Sequence, residues 1–276
     1  MNNMRKKVFA TIILVAMGCF GAKAQTDVDF PQLEVVSPFG ISLEGNLYQK
    51  GDLRVDAYSG SGEYLSNMPV PTNSFFGGIG IDYTFNRANK LSYIVSLGLE
   101  LKPFFSFKNP DVPEEHLYPL DFPNSHSFNF GQYLNVALQY QNTIGQSDVW
   151  FYNIKAGMRF SYYDGEMPFH TYVADGWTNY LAMFSVDAKG NNYNLVPSLM
   201  LSAGASFNTP IGLWSLNLVG NISIPKLNTG RFEFFNYLQT FQGDYSLTGN
   251  YVGLTLSYSP LKIVKPTPKK KARFRM

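Results

Sequence analysis

Lys90-Leu91-Ser92-Tyr93-Ile94-Val95-Ser96-Leu97-Gly98-Leu99-Glu100-Leu101-Lys102 is the stretch that decides the fold. Successive side chains of a strand point to opposite faces. Leu91, Tyr93, Val95, Leu97, Leu99 and Leu101 therefore share one face, and Ser92, Ile94, Ser96, Gly98, Glu100 and Lys102 the other. The first wall is apolar. The second holds mostly small, polar and charged groups. An antiparallel sheet in water buries the first wall and wets the second, whereas a membrane barrel turns the first to lipid and the second to its own lumen.

The same alternation recurs along the chain. Trp150, Tyr152, Ile154, Ala156, Met158, Phe160 and Tyr162 stand opposite Asn153, Lys155, Gly157, Arg159 and Ser161. Val252, Leu254, Leu256 and Tyr258 stand opposite Gly253, Thr255 and Ser257. Eight segments read as strands: about 39–49, 74–86, 90–105, 127–141, 149–163, 193–208, 213–224 and 247–259. They are long enough for tilted bilayer-crossing strands of about 9–11 residues, against about 5–6 in ordinary sheets. Short links (87–89, 142–148, 209–212) alternate with long ones (about 50–73, 106–126, 164–192, 225–246). That asymmetry belongs to outer-membrane barrels, and an even strand count leaves both termini on the short-turn, periplasmic side. Aromatic residues gather at both strand ends. Phe75, Phe104, Phe105, Phe128, Phe130, Tyr162 and Tyr193 lie near the long loops, and Tyr83, Phe85, Tyr140, Trp150, Phe207, Trp214 and Tyr258 near the short turns. Two such bands suit two headgroup boundaries.

Arg5, Lys6 and Lys7 precede an apolar run from Val8 to Gly21, which ends in Ala22-Lys23-Ala24. A charged start, a short apolar middle and small residues two apart make a signal peptide over 1–24, cleaved before Gln25. Cys19, the only cysteine, lies inside it, so the mature chain is expected to lack thiols and disulfides. Residues 25–38 then read as an N-terminal periplasmic segment, 39–259 as the barrel, and 260–276 as a basic periplasmic tail. The fold expected is all-β: an eight-stranded, antiparallel, up-and-down transmembrane barrel in the outer membrane of a Gram-negative cell.

With the leader ending Ala22-Lys23-Ala24-Gln25, the eight-strand layout, and a last strand reading Tyr251-Val252-Gly253-Leu254-Thr255-Leu256-Ser257-Tyr258, the chain resembles the small outer-membrane barrels of Bacteroidota. It is similar in architecture to the eight-stranded OmpA and OmpX class. The resemblance covers about 39–259 and implies architecture rather than an activity. The chain departs from it in running 18 residues past Tyr258.

Charge is unevenly placed. Of 22 basic and 20 acidic residues, four bases fall in the leader and seven in the tail, so the rest carries a net −9. Many of these acids sit in long loops, and the expected outer face is acidic. The tail, with Lys269, Lys270 and Lys271 at its centre, suits an anionic periplasmic partner; nucleic acid fits neither the compartment nor the acidic loops. Outer-membrane lipid is the other expected partner.

On the inward faces, Glu44, Asp82, Glu100, Lys102, Lys155 and Arg159 form a candidate lumen charge network. Three acids and three bases in a narrow barrel call for pairing, and an eight-stranded barrel is just wide enough for side chains to fill. Arg159 or Lys155 is expected to pair with Glu100. Trp177, Tyr180 and Phe184 in one long loop and Phe232 and Phe235 in another make a candidate interaction surface.

Catalytic groups are sparse. His116, His126 and His170 all fall in or beside long loops, and no GxSxG, HExxH or P-loop pattern occurs. Asp111, Glu114 and Glu115 match no calcium-loop spacing. No enzyme, metal or cofactor is expected. The functional expectation is a structural or surface-interaction barrel with a plugged polar lumen. Its alternatives are a narrow channel or transporter for small or hydrophobic molecules, and a rim enzyme acting on lipid.

Overall fold

The computed structural model describes residues 28–59, 70–101, 106–108, 130–163, 169–175, 179–187, 195–236 and 239–262. The expected signal peptide, Lys102 and the tail beyond Lys262 lie outside the described residues, as do parts of the long connections. After one 3-10 turn at Pro31–Leu33, the strands are β1 (Phe39–Tyr48), β2 (Asp52–Ser59), β3 (Val70–Thr72), β4 (Ser74–Phe85), β5 (Leu91–Leu101), β6 (Ser106–Lys108), β7 (Phe130–Thr143) and β8 (Trp150–Tyr163). They continue as β9 (Phe169–Asp175), β10 (Asn179–Asp187), β11 (Leu195–Thr209), β12 (Gly212–Ser223), β13 (Asn228–Asn236), β14 (Gln239–Leu247) and β15 (Tyr251–Pro260).

Eight of these, β1, β4, β5, β7, β8, β11, β12 and β15, close into an antiparallel barrel. Each barrel strand pairs with the next one along the chain, and β15 returns to β1 with Leu43 opposite Leu256. The eight-stranded up-and-down barrel is therefore the fold, and each strand end lies within four residues of its expected place. The period-2 pattern fixes the faces, because a one-residue slip would exchange them. On β5, Leu97 and Leu99 are about half exposed, while Ser92, Ser96 and Glu100 are buried.

Turn chemistry sets the short end. Asn86 takes φ +53° in the β4–β5 turn and Gly145 takes φ +66° in the β7–β8 turn. Asn and Gly are the residues that tolerate the left-handed region. At that end the expected aromatic band is present as ring pairs in contact: Tyr83 edge to face with Phe85 at 4.5 Å, Trp150 tilted against Phe207 at 4.5 Å, and Trp214 tilted against Tyr258 at 4.6 Å. Phe39 joins it against Tyr83 at 4.8 Å.

Two features add to the expected layout. The long connections contain strands of their own: β2, β14, β13, β10 and β9 form a five-stranded sheet in that order, and β3 pairs with β6. This sheet joins three different connections, so its pairing is non-local and leaves little trace in any one of them. Second, residues 28–38, within the segment expected to precede the barrel, pack against it. They fold under its short-turn mouth as a strap, where Phe30, Leu33 and Val36 are buried against Phe151 and Leu213.

Candidate functional site in the barrel interior

The inward face of each strand delivers polar side chains to a common axis. Arg159 on β8 is the centre. It is fully buried and donates through Nη1 to both carboxylate oxygens of Glu44 on β1, at 3.2 and 2.9 Å. Its Nη2 donates to Glu100 Oε2 on β5. Glu100 Oε1 also accepts from the Tyr163 hydroxyl at 2.9 Å. The guanidinium carbon lies 3.8 Å from the centre of the Tyr133 ring. One planar cation thus holds two carboxylates from across the barrel and stacks on an aromatic face, a combination open to arginine and not to lysine.

Small residues make room for that stack. A Cβ at Gly80 or Gly98 would run into the Tyr133 side chain. These glycines belong to β4 and β5, so the Gly-rich inward faces of two strands seat a ring from a third.

Toward the short-turn end, Lys155, Asp82 and Glu44 share a cavity of about 40 Å³ with Ser96, Asn135 and Asn217. Asp82 accepts from the Ser42 hydroxyl at 3.2 Å. Lys155 forms no ion pair among the described residues, so the expected choice between Arg159 and Lys155 as partner of Glu100 falls to Arg159. Below the cavity, Gln139 donates to Gln141, which donates in turn to the backbone oxygens of Arg87 and Asn89. Arg87 in the turn donates to Thr84 Oγ1 at 2.9 Å and to Pro38 O at 3.2 Å. Burial pushes its guanidinium down to about 10, partly offset by Asp82, so it remains charged at neutral pH.

Toward the long-loop end the interior becomes aromatic and apolar. Tyr48, Phe76, Met200, Val219 and Tyr251 pack together, with Leu101 against them. Beside them Tyr163 and Val196 meet Leu227 and Leu247 from the β12–β15 connection.

Among the expected loop-surface residues, Phe232 lies on β13 and is 2% exposed. Its neighbours Arg231 and Glu233 are exposed, the alternation of a strand with one covered face. Tyr180, Phe184 and Phe235 lie on β10 and β13, with Phe184 opposite Phe234 and Met183 opposite Phe235 in the register. Trp177 and Lys269, Lys270 and Lys271 lie outside the described residues, as do His116 and His126; His170 falls on β9. Among the described residues no His, Cys, Asp and Glu group has the arrangement of a metal site. Tyr133 and Tyr163, like Tyr48, Phe76 and Tyr251, are interior aromatics that sequence reading passed over; all sit at inward positions of barrel strands, where an aromatic among polar neighbours is the available signal.

No protein-family model matches the chain, and no curated protein matches it. Among solved structures, the crystal structure of the outer membrane protein OprG from Pseudomonas aeruginosa aligns with 82% of this chain and 98% of that one. Its identity is 9% and its TM-score 0.37, a likeness too distant to bear on fold or function.

The outer wall completes the description. Ile41 and Leu43 on β1, Ile79 and Ile81 on β4, Leu97 and Leu99 on β5, and Leu138 on β7 are all exposed. So are Ile154 on β8, Leu199 and Leu201 on β11, Leu216 and Leu218 on β12, and Leu254 and Leu256 on β15. The apolar belt runs round the whole circumference.

Proposed function

We propose that the protein is an integral outer-membrane barrel with a structural or surface-interaction role, carried by the long-loop face, and that its interior is packed rather than conducting. The observation that carries the reading is the belt. Soluble monomers rarely leave a contiguous apolar patch beyond a few hundred Å² in water, and here every barrel strand contributes to one. The inverted distribution, Leu and Ile outside with Ser, Asn, Arg and Glu inside, suits lipid around the wall. The aromatic pairs at the short-turn rim suit a headgroup boundary.

The packed interior is supported by Arg159 and its two carboxylates, and by the aromatic cluster toward the long-loop end. The loop-face role is supported by the five-stranded sheet, which gives three connections a common frame. The basic tail is read as a contact for an anionic periplasmic partner. Reconstitution tests the whole reading. The protein is expected to float with lipid vesicles on a density gradient while adding no solute flux over empty vesicles. Flux would replace the packed lumen with a channel, and failure to float would remove the membrane.

A further inference from the structure

The short-turn mouth of the barrel holds a segment of the chain's own N-terminus in the manner of a bound peptide. Phe30, Leu33 and Val36, spaced three apart, are 5%, 1% and 2% exposed. They pack on Phe151 and Leu213 with Ala88 and Leu261 alongside. Phe30 meets Phe151 edge to face at 5.3 Å. Main-chain bonds hold the segment at both sides. Phe30 N donates to Ala88 O at 2.8 Å, Ser37 N to Pro260 O at 2.7 Å, and Lys262 N to Val35 O at 2.7 Å. The Asp29 carboxylate accepts from Lys90 N at 2.7 Å.

We propose that this mouth is a peptide-binding site occupied in cis by the strap, residues 28–38, and that occupancy of the site governs access to the barrel interior from the periplasmic side. The proposal rests on the membrane reading for the word periplasmic and on the strap geometry for everything else.

Three features separate the strap from a fixed part of the wall. It contributes no strand to the barrel ladder; its one ladder contact is the isolated bridge from Val36 to Leu261. Its recognition uses backbone bonds plus a few apolar side chains in pockets, which is how extended peptides are bound. Its seat of three buried side chains and a few main-chain bonds lies outside the barrel ladder, so its release would leave the ladder paired, a local opening without global unfolding. The bridge also ties the strap to the root of the basic tail, because Leu261 and Lys262 are its partners. A pull on the tail therefore acts on the seal.

The test uses the full chain in lipid vesicles, with Cys19→Ser and Ser259→Cys providing one thiol. Ser259 is buried beside the strap's seat, opposite Leu213 in the ladder. Adding Leu33→Asp places a charge in the apolar pocket and displaces the strap. Labelling of Ser259→Cys by a membrane-impermeant maleimide is expected to accelerate at least tenfold in Leu33→Asp. A synthetic peptide of residues 28–38 added in trans is expected to slow it again, while the same peptide carrying Leu33→Asp does not. A boiled-versus-unboiled gel shift verifies that each variant is a folded barrel. If Leu33→Asp prevents folding, Phe30→Ala replaces it and is read in the same way. Unchanged labelling in a folded variant, or no protection by the peptide, overturns the site while leaving the barrel intact. Loss of the gel shift in the parent protein would instead strike the membrane reading.

Discussion

At the scale of single residues, Arg159 carries the largest consequence. Its removal would leave Glu44 and Glu100 buried without their counter-charge, and breaking a buried pair from one side costs about 3–5 kcal/mol. Arg159→Ala is expected to lower the unfolding free energy by that scale, read as a lower urea midpoint. Arg159→Lys should lose less, keeping the charge but not the two-sided fork. An unchanged midpoint for Arg159→Ala would mean that the pairs contribute nothing to stability. The glycine seat gives a second expectation. Gly98→Ala forces a methyl into the Tyr133 ring and the facing backbone oxygen of Ile79, and overpacking of that kind costs about 1–3 kcal/mol. Double replacement with Tyr133→Phe should leave most of that cost, because the ring stays; Tyr133→Ala should remove only the ring's share and leave the share set by the Ile79 backbone oxygen. A urea series on these variants measures both.

At the scale of elements, legibility followed locality. The barrel strands could be read because each announces its two faces within its own 10 to 15 residues. The pairing of neighbours then needs only turns such as Asn86 or Gly145. β2 also alternates, with Leu53, Val55 and Ala57 against Arg54, Asp56 and Tyr58, but its partner β14 lies almost two hundred residues away. Nothing local tells such a segment from a loop. The strap was illegible for a related reason: Phe30, Leu33 and Val36 show a spacing, but their seat is assembled from a turn and the ends of several strands. In the interior, the inward positions of Glu44, Glu100 and Arg159 were legible from the period. That Arg159 rather than Lys155 reaches Glu100 was not, because the choice depends on stagger between strands that are not neighbours. A prediction belongs here too. Leu254→Arg, in the middle of β15 and 54% exposed, should be nearly neutral for a barrel in water. In a bilayer it should cost about 2–4 kcal/mol at the midplane. Comparing its unfolding midpoint in vesicles with that of Thr248→Arg in the connection before β15 separates the two cases.

At the scale of the whole molecule, the distribution of polarity is the argument. An apolar outer wall, a polar interior centred on one arginine and aromatic pairs at the short-turn rim together carry the proposal that lipid surrounds the barrel. The interior charges bear on the alternative of a channel. Arg159 spans from β8 to β1 and β5, and solute flux through vesicles is expected to stay at the level of empty vesicles in the parent protein. The most direct measurement is electrophoretic. Outer membranes are isolated, extracted with carbonate, and the retained protein run boiled and unboiled on a denaturing gel. The account predicts a carbonate-resistant protein whose unboiled form is a compact, detergent-resistant band that shifts on boiling. A carbonate-extractable protein with no shift would contradict it, and the belt from Ile41 to Leu256 would then have to be covered by something other than lipid.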